Sequence, residues 1–285
     1  MIPESLTFKR FQIYGLRDGF FSLDGGAMFG VIPKTLWEKK YPADEHNRIK
    51  LGLNSILIRT EDKNVLVETG MGTHQDSKFN EFYSLDLQPG LVETLKDVGL
   101  EREDIDYVIN THLHFDHCGG NTFIDLDGEV VPTFPHAEYV IQKGEWESAC
   151  HPNPRDRSSY LEKYFRPLED HKQLHLVEGN TQIIEGVEVL LSPGHTAFHQ
   201  CVKIESEGRV LFFLGDMVPT SGHVGLPYVM SYDLFPLQTM LNKEKFYELA
   251  IEENWTMAFN HDPEFFFGKV GEKNGKFIFC PLSSE

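Results

Sequence analysis

Thr111-His-Leu-His-Phe-Asp-His-Cys-Gly-Gly120 is the stretch on which the reading of this chain turns. Within six residues it carries His112, His114, Asp116 and His117, three imidazoles and one carboxylate. These are the donor types that hold divalent cations in hydrolytic sites. His112 and His114 are two residues apart, so an extended backbone aims both from one face into one coordination shell. A turn after Phe115 lets Asp116 and His117 serve a neighbouring ion, and Gly119-Gly120 permits the close packing such a turn requires. Four donors do not complete two ions, so the rest must come from elsewhere in the chain.

Working outward, the cluster follows the strand-like run Ile105-Asp-Tyr-Val-Ile-Asn110, and the same order recurs three times. Val187–Leu191 runs into Ser192-Pro-Gly-His195, Arg209–Leu214 into Gly215-Asp216, and Thr256–Phe259 into Asn260-His261. His195 can complete a set with His112 and His114, and His261 can join Asp116 and His117. Asp216 has two oxygens and can bridge two cations. Five neutral imidazoles and two carboxylates leave two divalent ions with spare positive charge, enough to acidify a water held between them and to stabilise developing oxygen charge. Zinc suits the nitrogen-rich set, and the mixed ligation also accepts Mn2+, Fe2+ or Co2+. The other eight of the 13 histidines read as structural or solvent-exposed.

Between these turns the pattern predicts a layered α/β chain. Phe8–Leu23 reads as short strands with a glycine-containing turn, and Gly25–Arg48 as a long ordered loop with one short helix around Thr35–Lys40. Leu51–Arg59 and Asn64–Thr69 form a hairpin, Pro89–Leu100 a helix, and Glu138–Gln142 a strand. A helical region including Ser159–Phe165 follows, then strands at Gln173–Val177, Thr181–Ile184 and Val187–Leu191. Gln200–Ile204 and Arg209–Leu214 pair as a hairpin, and Leu241–Glu252 is a helix. Two sheets covered by helices would bury the apolar strands and leave their polar ends along one edge for metal.

At 285 residues, 40% hydrophobic and 25% charged, the chain is expected to fold as one globular unit with a Phe-rich core. Its formal charge of -18, from 44 acidic against 26 basic side chains, disfavours phosphate backbones and anionic lipid. Nucleic acid and membrane are therefore not expected partners; a small-molecule substrate is, and a second copy in a homodimer is the protein partner considered. Four cysteines, Cys118, Cys150, Cys201 and Cys280, stand singly and form no redox pair or disulfide framework. The first residues lack a basic segment followed by an apolar run, and no window reaches 18 uninterrupted apolar residues, so a cytoplasmic location is expected.

The motifs together resemble the metallo-β-lactamase-fold hydrolases, through Thr111–Gly120, Ser192-Pro-Gly-His-Thr196 with its later His199, Gly215-Asp216 and Asn260-His261. The resemblance implies an αββα sandwich of two mixed β-sheets flanked by helices, one domain over residues 1–285, with residues 1–50 as an N-terminal strand and pocket-loop extension. It implies His112, His114 and His195 on one metal, Asp116, His117 and His261 on the other, and Asp216 as the bridge. Val67-Glu68-Thr69-Gly70 resembles the family's acidic supporting turn, with Glu68 one methylene longer than the usual aspartate; His199 is a second supporting residue.

Pro-Gly-His195-x-x-x-His199-Gln is similar to the branch holding acyl-homoserine-lactone lactonases and organophosphate hydrolases. The small lactonases place a catalytic tyrosine three residues beyond the bridging aspartate, where this chain has Pro219. Tyr228, Tyr232 or His223 can reach the pocket from another loop, so Asp116, His223 and Tyr228 are the candidate catalytic residues. Met28, Phe29, Trp37 and Phe21 are candidates for apolar cover. The expected activity is hydrolysis of a small lactone or related ester by a hydroxide held between the metals. Phosphotriester, phosphodiester or thioester hydrolysis is the enzymatic alternative, and a noncatalytic metal-binding or di-iron redox protein the alternative of another class.

Overall fold

A computed structural model describes residues 3–282. In chain order its elements are β1 (Ser5–Phe8), β2 (Phe11–Asp24), α1 (Gly25–Phe29), α2 (Lys34–Trp37), β3 (Arg48–Arg59), β4 (Asn64–Val67), α3 (Ser77–Phe82), α4 (Leu91–Asp97) and β5 (Tyr107–Ile109). Then come α5 (Phe115–Cys118), β6 (Thr122–Ile124), β7 (Val130–Pro132), β8 (Glu138–Gln142), α6 (Lys143–Cys150), α7 (Arg166–Asp170), β9 (Leu174–Val177), β10 (Thr181–Ile184) and β11 (Val187–Leu191). The last are β12 (Gln200–Ser206), β13 (Arg209–Phe213), α8 (Pro236–Glu252), β14 (Thr256–Ala258), β15 (Phe267–Lys273) and β16 (Lys276–Pro281). The chain divides into two compact units, Met1–Phe20 with Leu53–Glu178, and Phe21–Gly52 with Gly179–Glu285.

The first unit is built on a seven-stranded mixed sheet, order β1-β2-β3-β4-β5-β8-β9, of which β2 and β3 run on into the second unit. Strands β4, β5, β8 and β9 are parallel neighbours. Burial on both faces explains their continuous apolar runs, Val65-Leu-Val67 and Val108-Ile109 being fully buried. Parallel strands end on the same edge, so β4 delivers Glu68, and β5 delivers the Thr111–Gly120 turn, to one place. A two-stranded β6-β7 hairpin completes the unit's strands.

The second unit repeats the logic in a sheet of order β10-β11-β12-β13-β14-β15-β16, all antiparallel except the β13/β14 pair. That parallel pair again places two donors, Asp216 and His261, beyond neighbouring carboxyl ends. Helix α8 lays Phe246, Tyr247 and Ala250 into a core with Phe212, Trp255, Met257 and Phe259. Phe212 touches both Phe246 and Trp255, with ring centroids 4.8 and 5.4 Å away, and Phe212→Ala should cost about 3–5 kcal/mol. The phenylalanine-rich core expected from composition is present in both units, with Phe8, Phe11, Phe134, Phe165, Phe212, Phe213 and Phe259 buried. Among the described residues no helix is long and apolar enough to cross a membrane.

Four local expectations are corrected. The turn before β2 is Lys9-Arg10, and Gly15 and Gly19 lie inside the strand. Gly19 is there because Phe20 and Asp86 exchange backbone hydrogen bonds, and a Cβ at Gly19 would sit 2.1 Å from the Asp86 carbonyl oxygen. The Gly25–Arg48 loop holds two short helices rather than one, α1 being started by Asp24, whose carboxylate accepts from the Ala27 amide. Ser159–Phe165 forms 3₁₀ turns at Arg157–Ser159 and Glu162–Tyr164 instead of a continuous helix. Helix α8 begins at Pro236, five residues before Leu241, because proline is well placed at the first helical position.

Candidate metal centre

In the first unit the H-x-H-x-D-H stretch folds as its spacing predicts. Beyond β5 the chain bends at Thr111–His112, His114 is extended, Phe115–Cys118 makes one helical turn, and all four donors are buried. Donor atoms of His112 and His114 come within 4.8 Å of each other, as do those of His112 and His117 and of Asp116 and His117. The His112 ring lies 4.5 Å from His114 and 4.0 Å from His117, centroid to centroid. Three imidazoles this close would repel if protonated; neutral, they converge lone pairs.

Glu68 braces this turn from the end of β4. Fully buried, with a left-handed φ of 65°, it accepts the Thr111 amide at 2.9 Å, and its Oε1 is 3.4 Å from His117 Nδ1. Thr111 Oγ1 meets His112 Nδ1 at 3.0 Å. Glu145 accepts from the Leu113 amide and from the Tyr160 hydroxyl, and the Tyr160 ring stands edge-on to His114 at 4.8 Å. Close backbone approach explains Gly119-Gly120: a Cβ on either would meet the carbonyl oxygen of Met71 or Thr69 at 2.3 or 2.2 Å.

The second unit brings His195, Asp216 and His261 together. His195 Nδ1 faces the Asp233 carboxylate at 3.0 Å and His261 Nδ1 faces the Gly52 carbonyl at 2.9 Å. Both partners only accept, so both Nδ1 atoms carry hydrogen and the lone pair of the neutral ring is on Nε2. Those Nε2 atoms stand 3.3 and 3.2 Å from Asp216 Oδ2 and Oδ1. With both rings neutral, two lone pairs face two carboxylate oxygens, an arrangement that positive charge between them would relieve. One histidine on each carboxylate oxygen is also the arrangement of a metal-bridging aspartate, and the donor chemistry fits divalent cations.

His199 supports that aspartate through a defined tautomer. Its Nε2 accepts the Asp216 amide at 3.1 Å, so the proton is on Nδ1, which meets Ser192 Oγ at 2.8 Å. His223 has a different task from the one expected. Fully buried, it donates from Nε2 to the Met28 carbonyl, accepts at Nδ1 from Thr220, and stacks on Phe29 at 4.3 Å. Burial pushes its pKa down to about 3. Bonded at both nitrogens, it braces α1. Tyr228 is half-buried and edge-on to Phe29 at 6.4 Å, and Phe21 stands edge-on to His261 at 5.2 Å. Phe29 also stacks on Trp37 at 5.4 Å, while Tyr232 is 38% exposed.

Four supports escaped the sequence reading. Asp233 had a signal in the general need of a ligating histidine for a carboxylate partner, but nothing local pairs it with His195. Glu145 and Tyr160 have no motif. Tyr83 packs against Phe115 at 5.0 Å, and burial with the charge of Asp116 pushes its pKa up to about 12, so its phenol stays protonated.

Residues 49–260 match the family described as the Metallo-beta-lactamase superfamily, spanning six of the seven donors and ending one residue before His261. The chain belongs to that superfamily. It is 32% identical over 178 residues to an N-acyl homoserine lactonase of Bacillus cereus, covering 59% of this chain and 64%, just under two thirds, of that enzyme. It is 33% identical over 220 residues to an N-acyl homoserine lactonase of Bacillus sp, covering 73% and 80%. The solved structure of a probable metal-dependent hydrolase from Staphylococcus aureus matches at a TM-score of 0.89 and 32% identity, covering 98% of this chain and 100% of that one. The fold is thus the superfamily's sandwich of two mixed sheets flanked by helices, and the chain is related to its N-acyl homoserine lactonases. Family and donor sets together support a metal-binding protein with hydrolase chemistry in general.

Proposed function

We propose that the chain is a dinuclear metallo-hydrolase that opens small lactones, with His112, His114 and His195 on one ion, Asp116, His117 and His261 on the other, and Asp216 between them. The observation that carries the metal reading is Asp216, whose two oxygens each face a histidine nitrogen that holds a lone pair. When bound, two divalent cations, proposed to be zinc, lower the pKa of a water and stabilise charge on the carbonyl oxygen under attack. The chain's own part is orientation. Asp233 and the Gly52 carbonyl fix which nitrogen of His195 and His261 points at Asp216. Glu68 holds the backbone of the first donor turn through the Thr111 amide.

The substrate class rests on the relatives named as N-acyl homoserine lactonases and on two features of this chain. Its charge of -18 disfavours anionic phosphodiesters and is indifferent to a neutral lactone. Beside Asp116, the rings of Phe79, Phe82, Tyr83 and Phe115 pack within 5.4 Å of a neighbour, and Phe82 is 67% exposed, an apolar surface suited to an acyl tail. Tyr228 is the phenol proposed to meet substrate in place of the one absent at position 219.

The test is turnover by zinc-loaded and manganese-loaded protein on a matched panel of lactones, thioesters, phosphotriesters and phosphodiesters. Short- and long-chain lactones should open fastest, and His114→Ala should stay soluble while losing most turnover. No ring opening by metal-replete protein ends the substrate assignment; a wild-type rate in His114→Ala ends the metal site.

A further inference from the structure

Helix α8 carries a lysine that the metal chemistry does not use. Lys243 is fully buried, and its Nζ lies 2.7, 2.8, 3.0 and 3.4 Å from the carbonyl oxygens of His223, Gly225, Tyr228 and Leu226. Burial works against its charge, lowering its pKa to about 7, and an apolar side chain of similar length would fill the space without that desolvation cost. What an apolar residue cannot do is donate N–H bonds to this irregular backbone, in which the His223 bond is buried and those to Gly225, Tyr228 and Leu226 are part-buried.

The gathered loop is tied at both ends to the donors of the second unit. At one end the Pro219 carbonyl accepts from the His261 amide at 2.9 Å. At the other, Asp233 accepts from His195 Nδ1, the Leu234 amide donates to the His195 carbonyl at 3.0 Å, and the Phe235 amide to the Gly194 carbonyl at 2.8 Å. The same helix face reaches the His195 loop directly. Asn242 donates to the Pro193 carbonyl at 2.6 Å, and Thr239 packs so close to Gly194 that a Cβ there would meet its Oγ1 at 2.4 Å.

We infer that Lys243 is the positioning residue of the second donor set: an internal N–H donor that gathers the 223–228 backbone and so holds the Pro219–Phe235 segment between His261 and His195. It touches no reacting atom and acts through Asp233 and the backbone of both histidines. The inference rests on the proposal that His195 and His261 bind metal.

The experiment compares Lys243→Met with Lys245→Met, an exposed lysine on the same helix. Readouts are zinc affinity by chelator competition, the visible spectrum of the cobalt-loaded protein, and hydrogen exchange of the Leu234 and Phe235 amides. Lys243→Met should bind zinc about 10–100-fold more weakly, the loss typical of removing support behind a ligand. It should also shift the cobalt bands and lose protection at those two amides, with β4 and β5 unchanged. Lys245→Met should match wild type in every readout. Wild-type zinc affinity and exchange in Lys243→Met overturn the inference. Should that variant fail to fold, brief acetylation of the native wild-type protein decides: Lys243 should be the last lysine modified, and modification as fast as Lys245 overturns it. Weakened zinc binding in a protein that opens no lactone would keep this inference and remove the substrate reading.

Discussion

The two donor sets do the same job by different means. The first puts four donors into six consecutive residues on one turn, braced by Glu68, Thr111 and Glu145. The second draws three donors from three separate strand ends and depends on remote groups, Asp233 and the Gly52 carbonyl, to set its tautomers. A compact set is fixed by local sequence, whereas a dispersed one is only as good as the scaffold that assembles it. Damage to scaffold residues should therefore fall harder on the second set.

The largest effect should come from Asp216, whose carboxylate faces two histidines. Asp216→Asn keeps the shape but removes the charge and turns one carboxylate oxygen into an amide that cannot donate a lone pair. Turnover should fall by at least the ~10²–10³-fold that loss of a preorganised electrostatic group costs, with metal content reduced below two ions per chain by elemental analysis. Full metal content with wild-type kcat would break the claim that this carboxylate joins the sets.

Removing the supports comes next and measures the contrast itself. Asp233→Ala frees the His195 ring to take the wrong tautomer and should weaken zinc by about 10–100-fold. Thr111→Val, made in the first unit for comparison, removes a single hydroxyl from His112. If chelator competition finds Thr111→Val the more damaging of the two, the dispersed set is not the scaffold-dependent one.

This contrast also explains what the sequence disclosed. The first set was legible because strand β5 and all four donors are contiguous, so periodicity and spacing act over a single turn. His195, Asp216 and His261 were legible because each follows an apolar strand. Asp233 and Lys243 were not, because their meaning lies in atoms brought close by the fold: a carboxylate 38 residues from its histidine, and carbonyls of a loop 15 to 20 residues away. The hairpin of β15 and β16 was missed although Asn274-Gly275, both at positive φ, is the signature of its two-residue turn.

Acid should separate the units. His223 in the second unit titrates near 3 rather than the usual 6.5. Between those values the unfolded chain binds a proton that the folded chain refuses, so its contribution is full above pH 6.5 and is lost as the pH falls toward 3. In the first unit His74, pushed down to about 4 by burial and by Lys163, acts in the same direction. Asp18 opposes it: burial raises its carboxyl to about 6, so the folded chain takes up a proton first and gains stability as the pH falls from 6 to 3.8. Hydrogen exchange at pH 7 and pH 5 should show the second unit losing protection first, and His223→Gln should lessen that loss without touching the first unit. Equal loss in both units would remove the asymmetry.

The smallest test asks whether distance from the ligand matters within each set. Thr111 Oγ1 bonds a ligand ring directly, whereas Ser192 Oγ bonds His199, which in turn holds the Asp216 amide. Each of these bonds is neutral, about 1 kcal/mol, or roughly a fivefold change in an equilibrium constant, and Ser192 Oγ also lies 3.3 Å from the His199 carbonyl and 3.2 Å from Cys201 Sγ. Thr111→Val should show that fivefold in zinc affinity, because His112 loses the partner that orients its ring. Ser192→Ala should show it in stability instead, because freeing His199 Nδ1 leaves a buried donor unsatisfied while the amide bond to Asp216 persists. A fivefold loss of zinc affinity in Ser192→Ala with unchanged stability would mean that the His199 relay orients the carboxylate itself, and the second set would then be tuned by its backbone as closely as by its tautomers.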